Sequence, residues 1–273
     1  MTLSIIILQH NTPKDVSQNL HKLSKANLPI NTEIIIVNNG GNNANQKIKI
    51  PDTLDVKLYE TPNHGFPAGN NFGYQQSNPN SEFYLFINPD IEVEKDTIET
   101  LIQHMRKNPK VGISSAKLIY PDGKIQDNYR KFPNPIDLII KRIKPLRKTF
   151  TKRMSNYLMW NRNPNNTQAV DWVTGAFTLI SNPCMRAIKK HNENYFLFMS
   201  DVELCLEAWK NNFEVHIVGS STALHNDTRI SNGGIKEVFT KKIVRIHIID
   251  SIKFFLKHLK NPPSRKVPPQ TSK

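Results

Sequence analysis

The chain has 273 residues, 38% of them hydrophobic, and a net charge of +14. That is enough apolar material for one large domain, or a domain with an appended piece, and it excludes a disordered chain. The excess of cations implies an anionic partner, with nucleic acid, anionic lipid and phosphorylated substrates all open.

Leu3–Leu8 is a continuous apolar run rich in β-branched residues, the pattern of a parallel strand buried on both faces, and it ends at Gln9-His10-Asn11. Thr12 as cap and Pro13 in the first turn open a helix through about Lys25. Glu33–Val37 is the second buried strand, and its polar end Asn38-Asn39-Gly40-Gly41 falls at the same sheet edge as His10 and Asn11. A short strand over Asp55–Tyr59 leads to a glycine- and asparagine-rich loop containing Gly69, Asn70 and Asn71, which runs into a helix. Tyr84–Ile87 is a further buried strand, cut off at Asn88-Pro89-Asp90 because Pro89 forces the chain to turn. Asp96 caps a helix over Thr97–Arg106, and Val111–Ser115 returns as a strand. Strands alternating with helices predict an α/β fold with a mainly parallel, doubly wound sheet.

The second half changes character. Residues 136–169 form a basic insertion with no acid between Asp137 and Asp171. Strand-like alternation resumes over Val170–Ile180, and helices are expected over Cys184–Lys190 and Asp201–Lys210. A strand over Val215–Val218 precedes His225, a basic amphipathic helix covers 236–260, and the proline-bearing residues 261–273 read as a flexible tail. The expected division is therefore 1–135 and 170–235 as two halves of the sheet domain, joined by the insertion and followed by helix and tail. Cys184 and Cys205 have no metal-ligand spacing and read as reduced thiols. With no apolar run long enough to span a bilayer and no leader pattern, the expected location is cytoplasmic, soluble or peripheral on the inner face of the membrane.

Taken alone, each chemical candidate has two readings. Asn88-Pro89-Asp90 is an ordinary turn or a metal-capable carboxylate at a strand end, where α/β sheets bind ligands. Asp201 is a helix cap or a general base, His225 a core histidine or a ligand, and Trp172 a core residue or a sugar platform.

Together these segments resemble glycosyltransferase family 2 enzymes of the GT-A fold, particularly the rhamnosyltransferase-like branch that builds bacterial surface polysaccharides. The resemblance runs from about Leu3 to Ser231, through Ser4–Ile7 with His10-Asn11, Ile36–Gly40, Asn63–Phe66 with Gly69–Gly73, Asn88-Pro89-Asp90, Lys117–Gln126, Arg130–Pro133, Val170–Ala176, Asn194–Cys205 and His225. It implies a single doubly wound, mainly parallel sheet flanked by helices, and inverting transfer of a sugar, rhamnose among the candidates, to a glycan or lipid-linked hydroxyl. The nucleotide-diphosphate sugar donor would meet His10, Asn11, Asn38, Asn39, Gly69, Asn70, Asn71, Asn88 and Asp90. Asp90 and His225 would hold Mg2+ or Mn2+, Asp201 would be the catalytic base, and Asp171, Trp172, Thr174 and Gly175 would face the acceptor.

The chain departs from the pattern with Ser200 where Glu usually stands, Glu203 for an Asp, Asn38 for an Asp and His10 for a Tyr. A sugar-nucleotide-binding protein without turnover is therefore the rival within the fold. A basic nucleic-acid-binding protein is the rival outside it, but no helix-turn-helix, aromatic RNP pair or zinc spacing supports one, so nucleic acid is not expected as a partner. Anionic membrane is the remaining candidate partner. The insertion is expected to be the better contact for it, and the terminal helix either packs on the sheet or lies on lipid.

Overall fold

A computed structural model describes residues 2–41, 47–226 and 242–265. The expected helix residues 236–241 and tail residues 266–273 lie outside the described residues. Four strands, β1 (Leu3–Gln9), β2 (Thr32–Asn38), β3 (Val56–Glu60) and β4 (Phe83–Ile87), form a parallel block in the order β3-β2-β1-β4. Every residue of β1 and β4 except Leu8 is buried, as their largely apolar sequences require. In register, Gln9 pairs with Asn38 and Asn38 with Glu60, so the polar strand ends meet along one edge.

Helices α1 (Pro13–Leu23), α2 (Phe66–Gln76) and α3 (Thr97–Lys107) supply the crossovers. Thr12 and Asp96 stand at the N-caps of α1 and α3, yet neither side chain makes a capping bond; the Asp96 carboxylate instead accepts from Asn27 Nδ2. The turn after β4 is followed by a three-residue strand, β5 (Ile91–Val93).

The remainder of the sheet departs from simple alternation. β6 (Val111–Ile119) does not pair with β4, because β10 (Phe177–Ser181) inserts antiparallel between them. Long β11 (Glu214–His225) runs parallel to β6 and carries β5 and the short β8 (Gln168–Ala169) as antiparallel neighbours. β11 extends seven residues beyond the expected Val218 and ends on His225 itself. Two further short strands, β7 (Tyr129–Arg130) and β9 (Trp172–Val173), pair as a ribbon.

The basic insertion is more regular than its composition implies. It folds as α4 (Pro135–Arg142), α5 (Lys144–Thr149) and α6 (Thr151–Tyr157) around a small core of Ile140, Met154, Tyr157 and Leu158. A capping box between Asn134 and Asp137 starts α4, and Arg153 pairs with Asp137 at 2.5 Å. α7 (Asn182–Ile188), α8 (Ser200–Lys210) and α9 (Lys242–Lys257) complete the helices described.

Candidate active site

At the ends of β1 and β2, His10 Nδ1 lies 3.2 Å from Asn39 Oδ1, and Asn39 Nδ2 donates to Asn63 Oδ1 at 3.4 Å. Asn63 Oδ1 also accepts from Gly65 N–H, drawing the loop before α2 onto the ends of β1 and β2. Asn11 adopts a left-handed conformation, φ 59°, and donates to the Gly40 carbonyl. Asn38 is fully buried. Its Oδ1 accepts from Gly40 N–H and its Nδ2 donates to Gly41 O, so it shapes the turn and offers no free edge.

The structure turns the α2 candidates inward. A Cβ on Gly69 would strike the Leu8 side chain, so glycine there allows close helix-strand packing. Asn70 donates to Phe66 O, and Asn71 exchanges bonds with the backbone of His191 while donating to Glu193. Both asparagines are buried; the Asn71 amide ties α2 to His191 and Glu193, while the Asn70 amide bonds back within α2.

The corner after β4 is built by three partners. Asn88 N–H donates to Ala176 O, and Asn19 Nδ2 from α1 donates to the carbonyls of Asn88 and Ile91. Asn226 N–H donates to Asp90 O, fixing the turn to the end of β11. Asp90 Oδ1 then lies 3.5 Å from His225 Nε2. Gln126 determines which nitrogen of that ring is bare. Its Nε2 donates to His225's own carbonyl, which can only accept, so its Oε1 must take the proton of His225 Nδ1, 2.8 Å away. In the neutral ring the Nε2 lone pair then faces the Asp90 carboxylate. Burial, and after it the nearby Asp90 charge, push the Asp15 carboxyl above its usual range, so the corner is acidic.

Such a donor set fits a divalent cation. Asp90 and His225 offer one oxygen and one nitrogen, and among the described residues no third His, Cys, Asp or Glu completes a cluster. An ion held by these two side chains would take its other ligands from water and a diphosphate, the usual habit of small hard cations at phosphate sites.

Asp201 sits at the start of α8, which the chain enters through left-handed Met199, φ 65°. Its Oδ2 accepts from Gly175 N–H at 3.2 Å and its Oδ1 from Val202 N–H at 2.9 Å. Burial pushes its carboxyl above the usual range, against the opposing pull of those N–H groups and of Arg130. Two residues bridge the halves of the site: Gly175 binds Asp201 and Ala176 binds Asn88. Thr174, next to them, donates its N–H to Asn128 O.

Asp171 and Trp172 are committed to the framework. The Asp171 carboxylate takes Phe132 N–H and an ion pair from Arg265. Trp172 is buried, its indole donates to Lys131 O, and the Arg130 guanidinium lies 5.0 Å over its ring. Its face is covered by that cation.

Several residues emerge only from the three-dimensional contacts. Buried Asp250 of α9 accepts N–H groups of Phe196, Leu197 and Phe198, and the Phe196 carbonyl accepts from Phe66 N–H. That segment thus bridges α9 to the start of α2 and leads into Asp201. A Cβ on Gly65, φ 100°, would collide with the same Phe196 carbonyl. Glu203 is buried and bonded to Tyr195, Lys257 and His258. Although burial works against it, hydrogen bonds from Lys257 and His258 hold its carboxyl below the usual range, so this departure from the family pattern fastens α8 to α9. Arg130 and Arg142 bring positive charge near Asp201 and His247. Burial, then Arg142, Lys141 and Arg130, lower His247 to about 4.

A model of glycosyl transferase family 2 matches residues 4–168, more than half of the chain. The low-salt glycan biosynthesis hexosyltransferase Agl10 of Haloferax volcanii is 25% identical over 226 residues, covering 82% of this chain and 67% of its own. Rhamnosyltransferase WbbL of Escherichia coli is 27% identical over 146 residues, 53% of this chain and 52% of its own. The N-acetylglucosaminyl-diphospho-decaprenol L-rhamnosyltransferase of Mycobacterium tuberculosis is 23% identical over 53% of this chain and 47% of its own. The chain thus spans about half to two thirds of the length of these relatives. Among solved structures, the mannosyltransferase PcManGT of Pyrobaculum calidifontis with GDP-Man and Mn2+ superimposes with TM-score 0.60 at 11% identity, over 93% of this chain and 64% of that one. GalNAc-T7 with UDP, GalNAc and Mn2+ gives 0.60 at 14%, over 82% and 44%, and S. aureus TarS with UDP-GlcNAc 0.56 at 15%, over 82% and 58%. These likenesses establish the GT-A fold. With its mostly parallel central sheet, its polar strand ends gathered on one edge and the family pattern matched over most of that sheet, the chain belongs to glycosyl transferase family 2.

Proposed function

We propose that this chain is an inverting glycosyltransferase that moves a sugar, rhamnose among the candidates, from a nucleotide-diphosphate donor to a hydroxyl of a glycan or lipid-linked acceptor in surface-polysaccharide synthesis. The observation that carries the reading is the bridge of Gly175 and Ala176 between the Asp201 carboxylate and the Asn88-Pro89-Asp90 turn. It ties Asp201 and the Asn88-Pro89-Asp90 turn to adjacent residues of one short backbone segment, which supports reading the first as a base and the second as a diphosphate corner. Asp201 takes the acceptor proton as the acceptor oxygen attacks the anomeric carbon. The bond from that carbon to the diphosphate breaks on the opposite side, and the configuration inverts. Mg2+ or Mn2+ bound by Asp90 and His225 would neutralise the charge gathering on the departing diphosphate. His10, Asn11 and Asn39 remain the candidates for the nucleoside side, and Thr174 and Gly175 for the acceptor side. The names of the relatives support glycan building with hexose or rhamnose donors.

The test is release of nucleoside diphosphate from UDP-, dTDP- and GDP-sugars in the presence of Mn2+ and crude acceptor lipid. Asp201→Asn is expected to lower turnover by about 10²–10⁴-fold with nucleotide binding retained. Asp90→Ala is expected to lower both. Because Asp201 must be ionised to accept a proton and its pKa is raised, kcat should fall on acidification at a pH above the ordinary carboxylate range. Wild-type turnover in Asp201→Asn would remove its role as base, and donor binding without turnover in the wild type would favour the non-catalytic reading.

A further inference from the structure

α9 has two opposite faces. Val244, Asp250, Ser251 and Phe254 are buried against the protein. On the other side Ile249, Ile252 and Leu256, continued by Leu259 in the turn after the helix, are 51%, 53%, 67% and 74% exposed. Their spacing of three, four and three residues puts all four on one stripe. Lys242, Arg245, Lys253 and Lys260 are exposed beside or within it, and the helix's one acid, Asp250, is turned inward. An outward face made only of aliphatic and cationic side chains needs a partner that is apolar and anionic together.

We propose that this face of α9 docks flat on an anionic bilayer surface, the aliphatic stripe entering the acyl boundary and the flanking cations meeting lipid phosphates. Charge decides between occupants. A second copy packed on the same stripe would bring Lys253 and Lys260 against their own counterparts with no acid on the face to pair them, in a molecule of net charge +14. An anionic surface meets the same cations with attraction. Docking there also has a consequence for the site, because the buried face of this helix holds Phe196–Phe198 through Asp250. The segment leading into Asp201 is thereby held at a set height above the surface.

The experiment is sedimentation of the full chain with vesicles of phosphatidylglycerol and phosphatidylcholine against phosphatidylcholine alone, beside Ile252→Glu/Leu256→Glu and Arg245→Glu/Lys260→Glu. All four side chains are exposed, so both variants should match the wild type in melting temperature and nucleotide binding. The wild type should pellet with anionic vesicles, less so in high salt, and each double variant should partition about tenfold or more weakly. Equal binding of wild type and variants, negligible binding to both vesicles, or a dimer abolished by Ile252→Glu/Leu256→Glu would each overturn the proposal. None of these readouts depends on sugar transfer, so the docking surface and the proposed activity stand or fall separately.

Discussion

Asp90 and His225 meet across 135 positions of sequence because β5 and β11 pair, with His225 opposite Ile91. Gln126 then fixes the ring. Substituting Gln126→Leu removes the acceptor for Nδ1–H and frees the imidazole to rotate or change tautomer. An outer partner of this kind is typically worth about 10–100-fold in metal affinity. The expected outcome is a Mn2+ activation curve displaced by that factor, with turnover largely recovered at saturating Mn2+. An unchanged curve would show that His225 needs no such support. The proposed roles of Asp201 and Asp90 come from the order of motifs, whereas Gln126 carries no such signal, since its partner lies 99 positions away and no local pattern encodes the pairing. Asn70 and Asn71 are the converse case: a glycine-asparagine loop resembles a ligand loop, but the α2 register turns both amides into the protein.

Among the elements, the segment from Tyr195 to Met199 is held chiefly by α9. Asp250 gathers three successive N–H groups, and Glu203 gathers Tyr195, Lys257 and His258. Asp250→Ala leaves the three donors without their acceptor, at about 1–3 kcal/mol for each that stays buried. Thermal unfolding should show a fall of at least about 5 °C, and turnover should fall further than KM rises, because the segment leads into Asp201, the proposed base. Asp250→Asn keeps one acceptor oxygen and should lie between. At this scale the sequence was informative where burial is continuous. β1, β2 and β4 follow their apolar runs, and α3 ends one residue past its expected limit. It was uninformative where pairing is long-range. Nothing in Phe177–Ser181 states that the strand enters antiparallel between β4 and β6, and the helices of the insertion, the first of them capped, were hidden by its charge.

In the molecule as a whole, His191 and His247 are among the groups that make stability depend on pH. His191 is buried beside Phe86 with neither ring nitrogen hydrogen-bonded, and burial lowers it to about 4 from 6.5. Burial and neighbouring cations lower His247 to about 4 as well. Both stay neutral in the folded chain and take up protons on unfolding. Stability is therefore full above the unfolded value near 6.5 and lost as pH falls toward 4, by up to about 1.4 kcal/mol per pH unit for each histidine. Urea unfolding at several pH values should show this slope, and His191→Leu should reduce it; an unchanged slope would place the titration elsewhere.

In the proposed reaction a nucleotide-diphosphate donor, a divalent cation and Asp90 would meet at one strand end. Thermal shift with UDP-, dTDP- and GDP-sugars, each with and without Mn2+, reads that union directly, since a ligand present at 100 times its Kd stabilises the fold by about 2.7 kcal/mol. The prediction is that at least one donor raises the melting temperature, that Mn2+ enlarges the shift, and that Asp90→Ala loses the Mn2+ increment. No shift with any donor, or a full Mn2+ increment in Asp90→Ala, would contradict it.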